Sequence, residues 1–181
     1  MASSGPRFPT AAASDDALVG LIWTSASKVT VDDDDPANLV LTNVSPLSQF
    51  LKVTGFGFQI PPDSVIDGIQ VEVKREATQT TSGVTDARAR LVRAGEVQTP
   101  DKSAAGAWST SYEYASYGGA TDLWGAAWVP EEINDAAFGF AFAAQTAALA
   151  ETAEVDAIRI TIFYHLGPRK LQRRSLLGVG I

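Results

Sequence analysis

The stretch that decides the fold lies at residues 117–142. It contains two glycine turns, a short helical turn and an alternating strand, in the order Tyr117-Gly118-Gly119, Asp122-Leu123-Trp124-Gly125, Trp128-Val129-Pro130-Glu131-Glu132-Ile133-Asn134 and Phe138-Gly139-Phe140-Ala141-Phe142. Proline at the first helical position and acids at the positive end favour one turn of helix over 130–134. The phenylalanines share one face of a strand whose other face is so small that another sheet or subunit could approach it closely. The stretch predicts a rigid corner leading into a strand of a β-sandwich.

Length and composition favour a single domain. The 181 residues are 45% hydrophobic and 19% charged, which suits one core with additional terminal segments. The sequence has no cysteine, so a disulfide framework, a thiolate metal site and a cysteine nucleophile are excluded. Neither a secretory signal nor an apolar stretch of about 20 residues is present, so we expect a soluble protein without a membrane partner.

The charge is unevenly distributed along the chain. The net charge is −7, so an interaction with nucleic acid is not expected. Four basic residues close to the C-terminus have no acid near them, and the rest of the chain carries −11. An acidic body with a basic arm is typical of a protein that docks onto another surface. The members of this cluster are Arg169, Lys170, Arg173 and Arg174.

Alternating apolar residues predict about eight strands. The clearest alternation lies at residues 69–73, 138–142 and 155–165. We therefore predict an all-β fold, an antiparallel β-sandwich with jelly-roll topology. The sandwich spans 21–165, an extended arm rich in Ala, Ser, Thr, Gly and Pro spans 1–20, and a basic and apolar arm spans 166–181.

Three local features refine this prediction. Apolar parity changes at Gly55, which predicts a β-bulge or bend within one strand over 50–60. Residues 38–43 form a short strand in which either Leu39 and Leu41 or Val40 points inward. Glu72 and Lys74 are expected to face Arg88 and Arg90 across a hairpin. Opposed charges of this kind set strand register.

Candidates for chemistry are few. The four consecutive aspartates at 32–35 suggest a calcium loop, but calcium loops alternate ligands with spacers, so a solvated acidic loop is the simpler interpretation. His165 is the one histidine, and no Gly-x-Ser-x-Gly motif accompanies a serine, so a catalytic triad and a histidine-based metal site are not expected. Paired carboxylates for glycoside hydrolysis remain an alternative, ranked last. We expect no enzyme activity and no cofactor.

Aromatic side chains offer a second alternative, carbohydrate binding. Tyr117, Trp124 and Trp128 could stack on pyranose rings beside acids such as Asp122. Core or interface packing of these rings is the competing interpretation. Solvent exposure decides between the two, because a buried ring cannot stack on a sugar.

Five strand and turn motifs follow one another along the chain: Gly55-Phe56-Gly57-Phe58-Gln59-Ile60-Pro61, Ile66-Asp67-Gly68-Ile69-Gln70-Val71-Glu72-Val73, Tyr117-Gly118-Gly119 with Asp122-Leu123-Trp124-Gly125, Phe138-Gly139, and Val155-Asp156-Ala157-Ile158-Arg159-Ile160-Thr161-Ile162-Phe163-Tyr164. Their order resembles a β-sandwich module common among structural proteins of tailed bacteriophages and prophages. The resemblance covers roughly residues 23–164 and concerns fold-forming residues, so it implies virion context without assigning an active residue. The added C-terminal arm departs from a bare module.

The resemblance leads us to expect a virion protein, assembled in the host cytoplasm, that acts as a capsid cement or decoration protein. Its partners would be the major capsid protein or neck and tail proteins, and we expect a homo-oligomer such as a trimer. The alternative is a neck, tail or fibre-type module that binds a receptor or carbohydrate. Contacts are expected through the C-terminal arm, at Arg169, Lys170, Arg173, Arg174, Leu176, Leu177 and Ile181.

Overall fold

The computed structural model describes residues 1–44, 46–78, 83–147 and 150–168. They form ten strands, one short α-helix and a 3-10 turn at Ala26–Val29. The strands and helix are β1 (Ala2–Arg7), β2 (Ala11–Asp15), β3 (Ala37–Thr42), β4 (Phe50–Thr54), β5 (Ser64–Ala77), β6 (Val84–Arg93), β7 (Glu96–Val97), β8 (Glu113–Gly119), α1 (Pro130–Asn134), β9 (Gly139–Thr146) and β10 (Ala150–Leu166).

The strands make two antiparallel five-stranded sheets. In the first sheet, called sheet A, the strand order is β1-β10-β5-β8. Strand β3 also pairs with β10, on the same side as β1, because the two short strands pair with different parts of β10. Sheet B has the order β2-β4-β9-β6-β7. The prediction of an antiparallel β-sandwich is confirmed. The chain changes sheet at most connections, as a jelly roll requires, and the jelly-roll topology itself stays a prediction.

Alternation along each strand places the core between the two sheets. On β5, Ile69, Val71 and Val73 are buried, and the polar residues between them face outward. Phe138, just before β9, and Phe140 and Phe142 on β9 are fully buried and meet the rings of Trp108, Tyr117, Trp124 and Trp128. The core therefore joins an aromatic cluster to the aliphatic residues of both sheets.

The N-terminal prediction needs correction. Residues 1–20 are not an arm beyond the sandwich, because β1 pairs with β10 at one edge of sheet A and β2 pairs with β4 at one edge of sheet B. Most side chains of both strands are exposed or half-buried, so the pairing rests on backbone hydrogen bonds. Strands that are held mainly by backbone hydrogen bonds show no apolar alternation, so the sequence did not predict them.

The strand predicted over 50–60 is shorter than expected, whereas its buried side chains were predicted correctly. The strand at 50–60 ends at Thr54, where Gly55 and Gly57 turn the chain with positive φ angles of 78° and 62°. Phe56, Phe58 and Ile60 are buried as the parity predicted, and Ile60 exchanges hydrogen bonds with the Asn134 side chain at 2.7 and 2.9 Å. The helical turn at 130–134 is confirmed as α1.

The expected hairpin between β5 and β6 does not form, because the two strands belong to different sheets. Glu72 instead accepts two hydrogen bonds from Arg159, at 2.9 and 3.1 Å. Arg88 and Arg90 lie near Asp101, at 3.6 and 2.9 Å.

Candidate functional site

The three rings proposed to stack on sugar are in the core. Tyr117, Trp124 and Trp128 are 3%, 2% and 7% exposed. Their polar atoms are already paired: the two indole N–H groups donate to backbone carbonyls at 2.9 and 3.0 Å, and the Tyr117 hydroxyl donates to Asp86. The cleft beside the indoles, lined also by Leu91 and Pro100, has a cavity volume of about 20 Å³, far below the ~300–1,000 Å³ of typical ligand pockets. These rings therefore build the fold, and the stacking role predicted for them is wrong.

Asp86 organises the polar part of this core. It accepts hydrogen bonds from the Trp108 indole and the Tyr117 hydroxyl, both at 2.8 Å, and from the backbone of Ala104 at 2.9 Å. The Arg75 guanidinium lies 3.5 Å from the same carboxylate and 4.7 Å from the centroid of the Trp108 ring. Burial raises the pKa of Tyr117, so its hydroxyl keeps the proton that it donates. The buried carboxylate ties β6 to β8 and β5.

The small outer face of β9 is not open to a partner. Ala141 and Ala143 have no exposed surface, because Phe50, Ala87 and Val92 of the flanking strands pack over them. At Gly139 a Cβ atom would lie 1.9 Å from the carbonyl oxygen of Val53, so the neighbouring strand itself uses the space. The close approach predicted from glycine and alanine occurs within the sandwich.

The aspartate run is neither a calcium loop of the usual pattern nor simply solvated. Lys74 of β5 places its Nζ atom 2.6 Å from Asp32, 2.6 Å from Asp34 and 2.9 Å from Asp156 of β10. Asp35 forms an ion pair with Lys28, and Asp33 accepts a hydrogen bond from the backbone of Asp35. The ammonium group therefore lies where these three carboxylates converge, the position that a cation would take.

Burial and charge oppose each other at this cluster. The side chain of Asp156 is fully buried at a bulge in β10, and its Oδ1 atom has no hydrogen-bond donor among the described residues. Burial raises the pKa of Asp156, with Lys74 partly opposing the shift. The hydrogen bond from Lys74 lowers the pKa of Asp32, and the three carboxylates raise the pKa of Lys74, so the lysine stays charged.

Two tyrosines lie beside this cluster on the outer face of sheet A. Tyr114 donates to Asp32 at 2.7 Å and lies under the Arg159 guanidinium, whose Cζ atom is 3.9 Å from the ring centroid. Burial and the bond to Asp32 raise the pKa of Tyr114 to about 12. Tyr112 donates to Glu154 at 2.9 Å. Burial and repulsion by Glu154 raise the pKa of the adjacent Glu76. Both rings are half-buried.

Four large aliphatic side chains are exposed in β3 and in the loops that precede and follow it along the chain. Val40 of β3 points away from the core, whereas Leu39 and Leu41 point into it, which settles the open alternative. Thr24 and Asn38 form an antiparallel bridge, so the segment that carries Ile22 passes beside the start of β3. A groove at this end is lined by Val19, Gly20, Leu21, Pro46 and Leu47. The exposed members, called the apolar row below, are Val19 (86%), Ile22 (68%), Val40 (57%) and Val44 (85%).

His165 and the C-terminal arm residues are the remaining positions singled out by the sequence. His165 is exposed, and its Nδ1 atom is 2.7 Å from Asp67, so it forms a surface contact near the end of β10. The predicted arm residues Arg169, Lys170, Arg173, Arg174, Leu176, Leu177 and Ile181 lie outside the described residues. The sequence did not predict the apolar row, because Val19, Ile22 and Val44 lie in loops where no alternation indicates exposure, and Val40 lies in a strand with two possible inner faces.

Comparisons with known proteins add little. The sequence matches no protein-family model and no curated protein. Among solved structures, the xylan-binding CBM22-1 domain of Xyn10C from Paenibacillus barcinonensis is similar with a TM-score of 0.34 and 12% sequence identity, over 92% of this chain and 99% of that domain. At that score the functional argument rests on the geometry of this chain alone.

No helix in the described parts of the chain combines the length and the apolar character that crossing a membrane requires.

Proposed function

We propose that this chain is a non-enzymatic structural protein of a tailed-phage particle, a capsid cement or decoration protein that stabilises the shell by binding neighbouring subunits. The apolar row is the observation that carries the proposal. Large aliphatic side chains that are exposed together on a rigid edge mark an interaction surface more often than a catalytic one. The resemblance of the strand motifs to phage sandwich modules supports the virion context.

The sandwich suits the role of a rigid block. Both N-terminal strands are paired into the sheets, one in each, so the body presents fixed edges to a neighbour. The C-terminal residues 169–181 combine a basic cluster with five large aliphatic residues, a composition that matches an acidic and partly apolar surface. Binding of that segment would supply the adhesive contact.

Deleting residues 169–181 tests the proposal. The shortened protein is expected to keep its thermal unfolding transition and to lose association with particles that lack the endogenous copy. Val40→Asp is expected to weaken association as well, whereas Val65→Asp, at another exposed valine, is a matched control with wild-type binding. Wild-type association of both the deletion and the Val40→Asp protein would refute the docking role.

A second candidate is a neck, tail or fibre module that binds a receptor glycan. Tyr112 and Tyr114 favour it, because their half-buried rings lie side by side on an outer sheet face. Sugar stacking would have to compete with the cations that already lie over both rings, Lys74 at 5.4 Å and Arg159 at 3.9 Å from the centroids. Binding to host-surface polysaccharide that is lost in Tyr114→Ala and kept in Trp124→Phe would favour this candidate over the first.

A further inference from the structure

We infer that the apolar row and the adjacent acidic corner form a docking surface for the C-terminal segment, residues 169–181, of a second copy of this chain. The acidic corner consists of the exposed or half-buried carboxylates around the start of β3, namely Asp32, Asp33, Asp34, Asp35, Glu76 and Glu154. The inference names the partner of the arm in the proposed function, and it can be tested without a particle.

Charge complementarity is the first argument. At the acidic corner only Lys28 and Lys74, among the described residues, form ion pairs with the aspartate run, so the carboxylates outnumber the cations. Glu76 of β5 and Glu154 of β10 are direct cross-strand neighbours, and burial together with repulsion by Glu154 raises the pKa of Glu76. The C-terminal segment brings Arg169, Lys170, Arg173 and Arg174 without an acid. Contact between the two would relieve this repulsion.

The order of polar and apolar groups also matches. On the surface, the aspartate run is followed along the chain by the exposed Val40 and Val44. On the segment, the basic cluster is followed by Leu176, Leu177, Val179 and Ile181.

Reach decides between the same chain and a second copy. Glu154 and Leu166 lie twelve positions apart on β10, about 40 Å along the strand. Arg174 is only six residues beyond Pro168 and can extend about 20 Å from it. The basic cluster of a chain cannot reach its own acidic corner, so the contact must be made between copies.

The pairing is heterologous, because the segment of one copy binds the edge of the next. Such contacts close into a ring when the rotation allows it, and a trimer is one such ring. Open chains would grow with concentration instead.

Sedimentation velocity on the purified full-length protein tests the inference. We expect self-association at micromolar concentration that weakens at least tenfold between 0.1 and 0.5 M NaCl, because exposed charges are screened. Deletion of 169–181, Arg173→Glu with Arg174→Glu, and Val40→Asp should each weaken it at least tenfold. Val65→Asp should leave it unchanged. A synthetic peptide of residues 169–181 should compete with the wild-type association.

Charge reversal separates docking from general stickiness. Adding Asp33→Lys and Asp35→Lys to the Arg173→Glu, Arg174→Glu protein should restore association, since each copy then carries the inverted pair of surfaces. A wild-type protein that stays monomeric at 0.1 M NaCl, or association that survives the deletion, would overturn the inference. If the monomeric protein still joins particles, the proposed function stands and only this partner assignment fails.

Discussion

Replacing Lys74 by methionine should strongly destabilise the protein, because Asp156 would lose its cation. Its Oδ2 atom is 2.9 Å from Lys74, and its side chain is fully buried. Removing one member of a buried ion pair typically costs ~3–5 kcal/mol. The contact with Asp34, 72% exposed, should add at most about 1 kcal/mol. Since ~1 kcal/mol shifts the melting temperature of a domain this size by about 2–4 °C, we expect a decrease of about 6–20 °C.

The effect should depend on pH. A carboxyl whose folded pKa is raised above the unfolded value stabilises the fold at low pH and loses that contribution as the pH rises through the folded pKa. Burial already raises the pKa of Asp156, and removal of Lys74 raises it further. The stability difference between wild type and Lys74→Met should therefore shrink as the pH falls from 7 to 4.5, where Asp156 is protonated more readily.

Urea unfolding followed by circular dichroism at both pH values measures this effect. Lys28→Met is the matched control, because its partner Asp35 is exposed and the pair should be worth less than about 1 kcal/mol. Adding Asp156→Asn to Lys74→Met should recover part of the loss, since no buried charge is left unpaired. Equal losses for Lys74→Met and Lys28→Met, independent of pH, would refute the reasoning.

Three further predictions concern the core. Asp86→Ala should cost ~3–5 kcal/mol in urea unfolding, because Arg75 and two ring donors lose their buried partner; a loss below about 1 kcal/mol would contradict its organising role. Gly118→Ala should lower the melting temperature more than Gly106→Ala. Both have positive φ, but a Cβ at Gly118 would lie 2.3 Å from the Ile69 oxygen, whereas at Gly106 it would meet nothing within 4 Å. Fluorescence of the four buried tryptophans should be blue-shifted and poorly quenched by iodide, and strong quenching would indicate an exposed indole.

Local alternation predicted most of the sandwich. The parity of Ile69, Val71 and Val73, and that of the phenylalanines at 138–142, correctly identified the buried faces, because each depends only on neighbours in the chain. Strand pairing was harder. The hairpin inferred from Glu72 and Arg88 failed since consecutive strands in this fold cross between sheets, and charge complementarity alone does not identify the partner strand.

The candidate surfaces were less accessible to sequence reasoning. Asp156 interrupts an apolar strand at a bulge, and its partner Lys74 is 82 positions earlier in the chain, so no motif connects them. The sequence alone left open whether Val40 or its neighbours Leu39 and Leu41 point into the core. The burial of Leu39 and Leu41 in the folded chain shows that Val40 points outward. The rings at Trp124 and Trp128 illustrate the reverse problem: aromatic residues beside acids suit both a sugar site and a core, and only burial separates the two.

Quantitative mass spectrometry of purified phage particles tests the central claim most directly. A capsid cement protein should be present in many copies, in a fixed ratio to the major capsid protein, and should be reduced when residues 169–181 are deleted. Only a few copies per particle would contradict the cement role and favour a neck or tail position. Absence from particles would contradict the structural role altogether.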